Sequence, residues 1–254
     1  MLSTPVTSHI DYNRVYEPAE DSFLLLDTLS AASEVAFLKE RFASPAAPLI
    51  VELGTGSGVV LAFITAHAHH ILGRRDVLTL GVDINAFACQ AATETVKRAV
   101  NESSADGSSG IFTDIINGDL ASCLKPGESD ILIFNPPYVP APLPDLERHQ
   151  AYNDTSKPTT FDQESHLLEL SYAGGLDGME ITNKLLLQLP DSLSPRGLAY
   201  ILLCAQNKPK EVIQKIKAWG DTWAAEIVGT SGKTAGFEKL VILRVWRTEP
   251  MLQK

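Results

Sequence analysis

An open α/β fold is predicted, with a seven-stranded, mostly parallel sheet, helices on both faces and a C-terminal antiparallel hairpin. Three observations carry that expectation. Short apolar runs of strand length alternate with stretches of helical periodicity. A glycine-rich turn, Gly54-Thr-Gly-Ser-Gly58, follows directly on the first such run. The 254 residues, 44% of them hydrophobic and 20% charged, suffice to bury one large core. The whole chain, 1–254, therefore reads as one domain.

Residues 20–42 place Leu24, Leu26, Leu29, Val35 and Leu38 at helical spacing, and Pro45 and Pro48 end that helix. This gives an N-terminal helical segment over 1–45. The run 48–53 is the first strand, the glycine turn follows, and 59–72 is a helix. Strand 77–82, helix 87–100 and strands 111–116 and 130–134 continue the alternation, an order that specifies a parallel sheet buried on both faces. Residues 101–110, dominated by Ser, Gly, Asp and Asn, read as a solvated loop. From Pro140 to about Thr160 no periodicity is clear, so 140–160 reads as an exposed insertion facing the substrate. Helix 179–189, strand 198–204, helix 209–219 and strands 224–229 and 239–246 complete the pattern, the last two joined by a Gly-rich turn over 229–236.

Composition excludes several classes. No apolar run approaches the roughly 18 residues of a membrane span, and the N-terminus lacks a signal-peptide pattern. A cytoplasmic location is expected, with a nuclear pool left open. Cys89, Cys123 and Cys204 are odd in number and have no CxxC spacing, so they read as buried apolar residues, not as a disulfide or metal framework. The net charge of -10 argues against holding nucleic acid by its phosphates.

Glu52-Leu-Gly-Thr-Gly-Ser-Gly58 suits close approach of a ligand to the backbone, but its G-x-G-x-G spacing differs from the G-x-G-x-x-G of dinucleotide sites. A cofactor without pyrophosphate fits better, and a nicotinamide oxidoreductase is disfavoured. Asp83 ends the second strand, where an acid accepts both hydroxyls of a ribose, and Asp119-Leu120 after the third is placed to address an adenine ring. Taken singly, either Asp reads equally as a helix N-cap. Asn135-Pro-Pro-Tyr138 follows the fourth strand. On its own it is a good turn. On the same sheet edge as the glycine turn and both acids, its side-chain amide oxygen and a nearby carbonyl form a rigid pair of acceptors for an NH2 group.

With these motifs in order, the sequence resembles the HemK-like class I S-adenosylmethionine methyltransferases, specifically the eukaryotic and archaeal branch acting on class I translation release factors. The resemblance runs from Val15 to about Val245. It rests on Val15-Tyr-Glu-Pro-Ala-Glu-Asp-Ser-Phe23, residues 52–60, Asp83-Ile-Asn85, Asp119-Leu120, residues 135–139 and Ser194-Pro-Arg-Gly197. It implies a Rossmann-like methyltransferase sheet and S-adenosyl-L-methionine as cofactor. It implies cofactor contacts at Ser22, Glu52, Gly54, Gly56, Asp83, Asp119, Leu120 and Asn135, and N5-methylation of the glutamine in a GGQ-type loop. It also implies a small zinc-binding activator subunit that adds a strand at the sheet edge, for which the apolar third strand is the expected place. In the mechanism this suggests, Asn135 and the Pro136 carbonyl accept the two amide hydrogens and Tyr138 packs on the amide plane.

Three features are set aside. His67, His69 and His70 read as a solvated helix end, not as a metal site. Trp219, Trp223 and Trp246 sit in apolar contexts and read as packing. Adenine N6 of DNA and protein lysine are the rival NH2 acceptors; the acidic charge weighs against the first and the lack of a base against the second. A cofactor-binding adaptor without turnover is disfavoured by the intact Asn135 motif.

Overall fold

A computed structural model describes residues 2–103, 107–232 and 239–248. Seven strands, β1 Leu49–Leu53, β2 Leu78–Asp83, β3 Ile111–Asn117, β4 Ser129–Phe134, β5 Leu193–Cys204, β6 Trp223–Thr230 and β7 Leu240–Arg247, form one sheet in the order β3-β2-β1-β4-β5-β7-β6. The first five run parallel, and β7 lies antiparallel between β5 and β6. The expected hairpin is present; most of its turn, 233–238, lies outside the described residues.

The helices are α1 Glu20–Ser30, α2 Ala32–Arg41, α3 Val59–Ala66, α4 Ala68–Leu72, α5 Ala86–Ser103, α6 Leu146–Tyr152, α7 Phe161–Tyr172, α8 Glu180–Ser192 and α9 Pro209–Lys217. Strand alternation divides the core between the faces. Ile50, Ile131, Ile133, Tyr200 and Ile242 pack under α1 to α4. Val51, Leu132, Phe134, Ile201 and Leu243 pack under α8 and α9. Every residue of β4 is buried, as a central strand covered on both faces requires, whereas β3 at the edge is largely exposed.

At the amino edge of the sheet, Asp130 takes a bidentate ion pair from Arg196 at 2.8 and 2.9 Å, the Ser194 hydroxyl at 2.6 Å and the Leu49 amide at 3.0 Å. The Ser-Pro-Arg-Gly string thus locks β1, β4 and β5 together, far from the ligand edge. A second lock joins α2 to the sheet, where buried Arg244 holds Glu34 at 2.8 and 2.9 Å and Tyr200 donates to the same carboxylate at 2.7 Å.

Several sequence expectations change. The segment 20–42 breaks at Ala31, whose backbone is extended; the Thr28 and Ser30 hydroxyls bond back to the Leu24 and Leu26 carbonyls just before the break. The helix 59–72 divides at His67, which is buried, bonded to the Ser3 carbonyl at 2.9 Å and packed edge-on to Phe63; only His69 and His70 are solvated. Cys123 is exposed, whereas Cys89 and Cys204 are buried. The insertion 140–160 contains α6, started by Asp145, whose side chain accepts the Glu147 amide at 2.9 Å. Helix α7 follows behind a Thr160–Gln163 capping box. Among the described residues no helix is long and apolar enough to cross a membrane.

Candidate active site

β1, β2 and β4 end in register, with Leu53 beside Val82 on one side and Phe134 on the other, while Asp83 lies beside Asn117 of β3. From β1 the chain continues toward β2 and from β4 toward β5, in opposite directions along the sheet. A crevice opens at that switch point, beyond the carboxyl ends of the strands. Over it lies a cavity of about 390 Å³. The structure brings every sequence-predicted site residue to its wall: Ser22, Glu52, Gly54, Gly56 and Asp83, then Asp119, Leu120, Asn135, Pro136 and Tyr138.

The glycine turn is built by φ angles of +63° at Gly54, +50° at Gly56 and +75° at Gly58. A Cβ on Gly58 would lie 2.6 Å from Ala92, so the turn and α5 approach as closely as glycine allows. The Asp83 carboxylate ties turn to strand, accepting the Gly56 and Asn85 amides at 2.8 Å each. It does not cap α5: the Asn85 side chain does, accepting the Phe87 amide at 2.9 Å. No helix starts after Asp119, so that acid caps nothing either; it stands exposed at the cavity margin, and Leu120 beside it takes a φ of +48°. Glu52 is inward-facing and accepts the Leu61 amide in the first turn of α3 at 2.9 Å.

Asn135 donates from Nδ2 to Asp21 Oδ2 at 3.1 Å, while its Oδ1 is buried and receives no hydrogen bond from a described protein group. Behind Asn-Pro-Pro-Tyr runs a glycine buttress. A Cβ on Gly174 would lie 2.5 Å from the Pro137 carbonyl oxygen, and one on Gly178 would fall on the Tyr138 carbonyl. The insertion docks on the loop after Asp83: His149 Nε2 and Asn153 Nδ2 meet the Ile84 carbonyl at 2.8 and 3.0 Å, and Asn153 Oδ1 accepts the Ala86 amide at 2.6 Å.

No family model matches the chain. The mouse protein named Methyltransferase HEMK2 is 34% identical over 251 residues, covering 96% of each chain. The chain belongs to the HEMK2 methyltransferase family. The fission yeast relative, named eRF1 methyltransferase catalytic subunit mtq2, is 32% identical and covers 97% of this chain and 96% of its own. A Methanocaldococcus jannaschii relative, named as a putative protein N5-glutamine methyltransferase, is 30% identical over 92% of each. Among solved structures, the hMettl16 catalytic domain in complex with an RNA hairpin superposes with a TM-score of 0.54 over 95% of this chain and 74% of its own, at 14% identity, a likeness of fold.

The cavity lining fits the cofactor of a class I methyltransferase: a turn with glycine at three of its five positions, acids at successive strand ends, and a buried Asn135 Oδ1 that no described protein group hydrogen-bonds. Burial pushes the Glu52 carboxyl well above the usual carboxylate range, opposed by the Leu61 amide and reinforced by the charge of Asp83. Burial also raises Asp83, against the Gly56 and Asn85 amides and the Thr55 hydroxyl. Both acids are harder to ionise folded than unfolded, so their ionisation costs stability as pH rises from the unfolded-state values through the raised native ones. Binding through an ionised Asp83 has the opposite sign. Cofactor affinity measured by calorimetry should fall as pH is lowered, beginning above the range of an ordinary aspartate. In Asp83→Asn that pH dependence should weaken and affinity should drop by about tenfold or more, the cost of losing a charge-assisted acceptor. Wild-type affinity in that variant would remove Asp83 from the cofactor site.

Some site residues escaped the reading of the sequence. Asp21 and Asn85 act through partners remote in sequence, Asn135 and the Arg14 carbonyl, and Tyr16 acts through Asp21. The buttress had a readable signal in the dense glycines of Gly174-Gly-Leu-Asp-Gly178.

Proposed function

We infer that the protein transfers a methyl group from S-adenosyl-L-methionine to the side-chain amide nitrogen of a glutamine in a class I translation release factor. The observation that carries an NH2 acceptor is the buried, unpartnered Asn135 Oδ1 on the cavity wall beside Pro136. The names of the fission yeast and archaeal relatives, one for eRF1 and one for glutamine N5, support the substrate.

The bound cofactor supplies an already electrophilic sulfonium methyl. What remains for the chain is to orient a weak nucleophile and keep water away, and orientation accounts for several kcal/mol of barrier. An amide nitrogen is weak because its lone pair is delocalised into the carbonyl. Asn135 Oδ1 and the Pro136 carbonyl accept its two hydrogens, which aims the nitrogen and supports positive charge as it develops there. Tyr138 packs on the amide plane. No side chain has to take the proton beforehand: transfer would break the methyl–sulfur bond and leave S-adenosyl-L-homocysteine, and the nitrogen, acidic once methylated, would lose its proton to water as the products depart. Val139, Leu146 and Tyr172 are exposed and line the cavity, an apolar rim that suits a polypeptide segment. An adenine of DNA is less well served by a chain of net charge -10, and a lysine amine would need a base.

We also propose that a small zinc-binding activator subunit adds a strand to β3. No described strand covers the outer edge of β3, and Ile111 there is half exposed. An enzyme of termination works in the cytoplasm. Labelled cofactor, with and without a candidate activator, is to be offered to release factor, its Gln variant, histone and DNA. Label on the release factor that disappears in the Gln variant is expected. Label that persists there, or goes to histone or DNA instead, overturns the substrate, and a rate indifferent to the activator overturns the partner.

A further inference from the structure

The Asn135 amide is oriented by a single neighbour. Its Nδ2 donates to Asp21 Oδ2 at 3.1 Å, and a carboxylate can only accept, so the nitrogen has to face Asp21 and the oxygen has to face away. Asp21 itself has no freedom to turn. Its Oδ2 also accepts the Tyr16 hydroxyl at 3.0 Å, and its Oδ1 accepts the Ser22 amide at 2.6 Å and the Ser22 hydroxyl at 3.2 Å. Only 3% of the residue is exposed. Four donors therefore hold one buried carboxylate in the first turn of α1, and that carboxylate touches both the clamp and Ser22 on the cavity wall.

We propose, on the reading of the cavity as a planar-NH2 site, that Asp21 is a positioning residue for methyl transfer. It decides which end of the Asn135 amide faces the substrate. Its negative charge, acting through a hydrogen-bonded and polarised amide in a buried setting, also strengthens Oδ1 as an acceptor where positive charge develops.

Asp21→Asn is nearly isosteric and separates orientation from bulk. The Ser22 backbone amide cannot rotate, so Asn at 21 presents its oxygen there and its NH2 toward Asn135. Asn135 then meets a donor, turns over, and points its own NH2 into the cavity, where the substrate also brings N–H donors. Turnover of the full chain should fall by about a hundredfold, with cofactor Kd within about threefold and Tm little changed. Asp21→Asn combined with Asn135→Asp returns a single carboxylate to the pair: the NH2 at 21 donates to one oxygen and leaves the other facing the cavity. That double variant should recover about tenfold of the lost turnover; a merely structural Asp21 predicts no recovery from a second buried change.

Side-chain amide NMR of Asn135 reads the same geometry without substrate. In the wild type one proton, bonded to the carboxylate, should be shifted and exchange slowly, and Asp21→Asn should abolish that signature. Unchanged turnover or an unchanged amide signature in Asp21→Asn, or no recovery in the double variant, overturns the proposal. A wild type that shows the signature yet does not methylate release factor overturns only the substrate assigned above.

Discussion

Asn135→Ala should lower turnover by about a thousandfold, the scale of removing a pre-set polar group aimed at developing charge. Cofactor affinity should change only modestly, because Asp83 and the glycine turn, which would hold the nucleoside, are tied to each other and not to Asn135. The substitution removes an acceptor whose burial has already been met by the fold. It also deprives Asp21 of one of its four donors, so a small loss of Tm is expected. Single-turnover kinetics with saturating cofactor isolate the transfer step. Full activity in this variant would sink the acceptor-clamp mechanism and leave Asn135 as a turn residue.

The second large effect is expected at Gly178→Ala. This glycine has a φ of +66° and is buried against the Tyr138 carbonyl, where a Cβ has no room. Its own carbonyl and that of Asp177 are held by Asn207 Nδ2 at 3.4 and 3.2 Å, and Asn207 Oδ1 in turn accepts the Cys204 amide at the end of β5 at 2.8 Å. The segment therefore cannot retreat toward the sheet, and the strain falls on Tyr138. A loss of about 3 kcal/mol is expected, from left-handed strain plus overpacking. Calorimetry would register it as a Tm lower by roughly 6–12 °C. Turnover should fall further than stability explains, since the displaced backbone carries the clamp. A variant with wild-type Tm and rate would show that the buttress is slack.

The contrast between these two residues shows what was legible in the sequence. Asn135 announced itself because a short string follows a strongly apolar strand, and the parallel order then fixes which sheet edge it shares with Gly54 and Asp83. Strand existence was equally plain, since four consecutive apolar residues, Ile131 to Phe134, lead directly into the motif. Asp21 was invisible as an orienting group because its partner lies 114 residues away, and no local pattern encodes which carboxylate meets which amide. The helix inside the insertion went unread for a related reason. Helix α6 is too short for a period to emerge, and Asn153, 67 residues from Ala86, anchors it. Helix α7 was legible after all, as Thr160-x-x-Gln163 before Leu167 and Leu170.

The docking of α6 makes the two ends of the cavity mechanically one part. Asn153 and His149 grip the backbone of Ile84 and Ala86, the stretch that immediately follows Asp83, while Leu146 at the other end of the same helix lines the outer wall. A nucleoside that firms the stretch after β2 and a polypeptide that presses on α6 bias a common joint. Any effect of one on the binding constant of the other would, by thermodynamic reciprocity, be returned by the same factor.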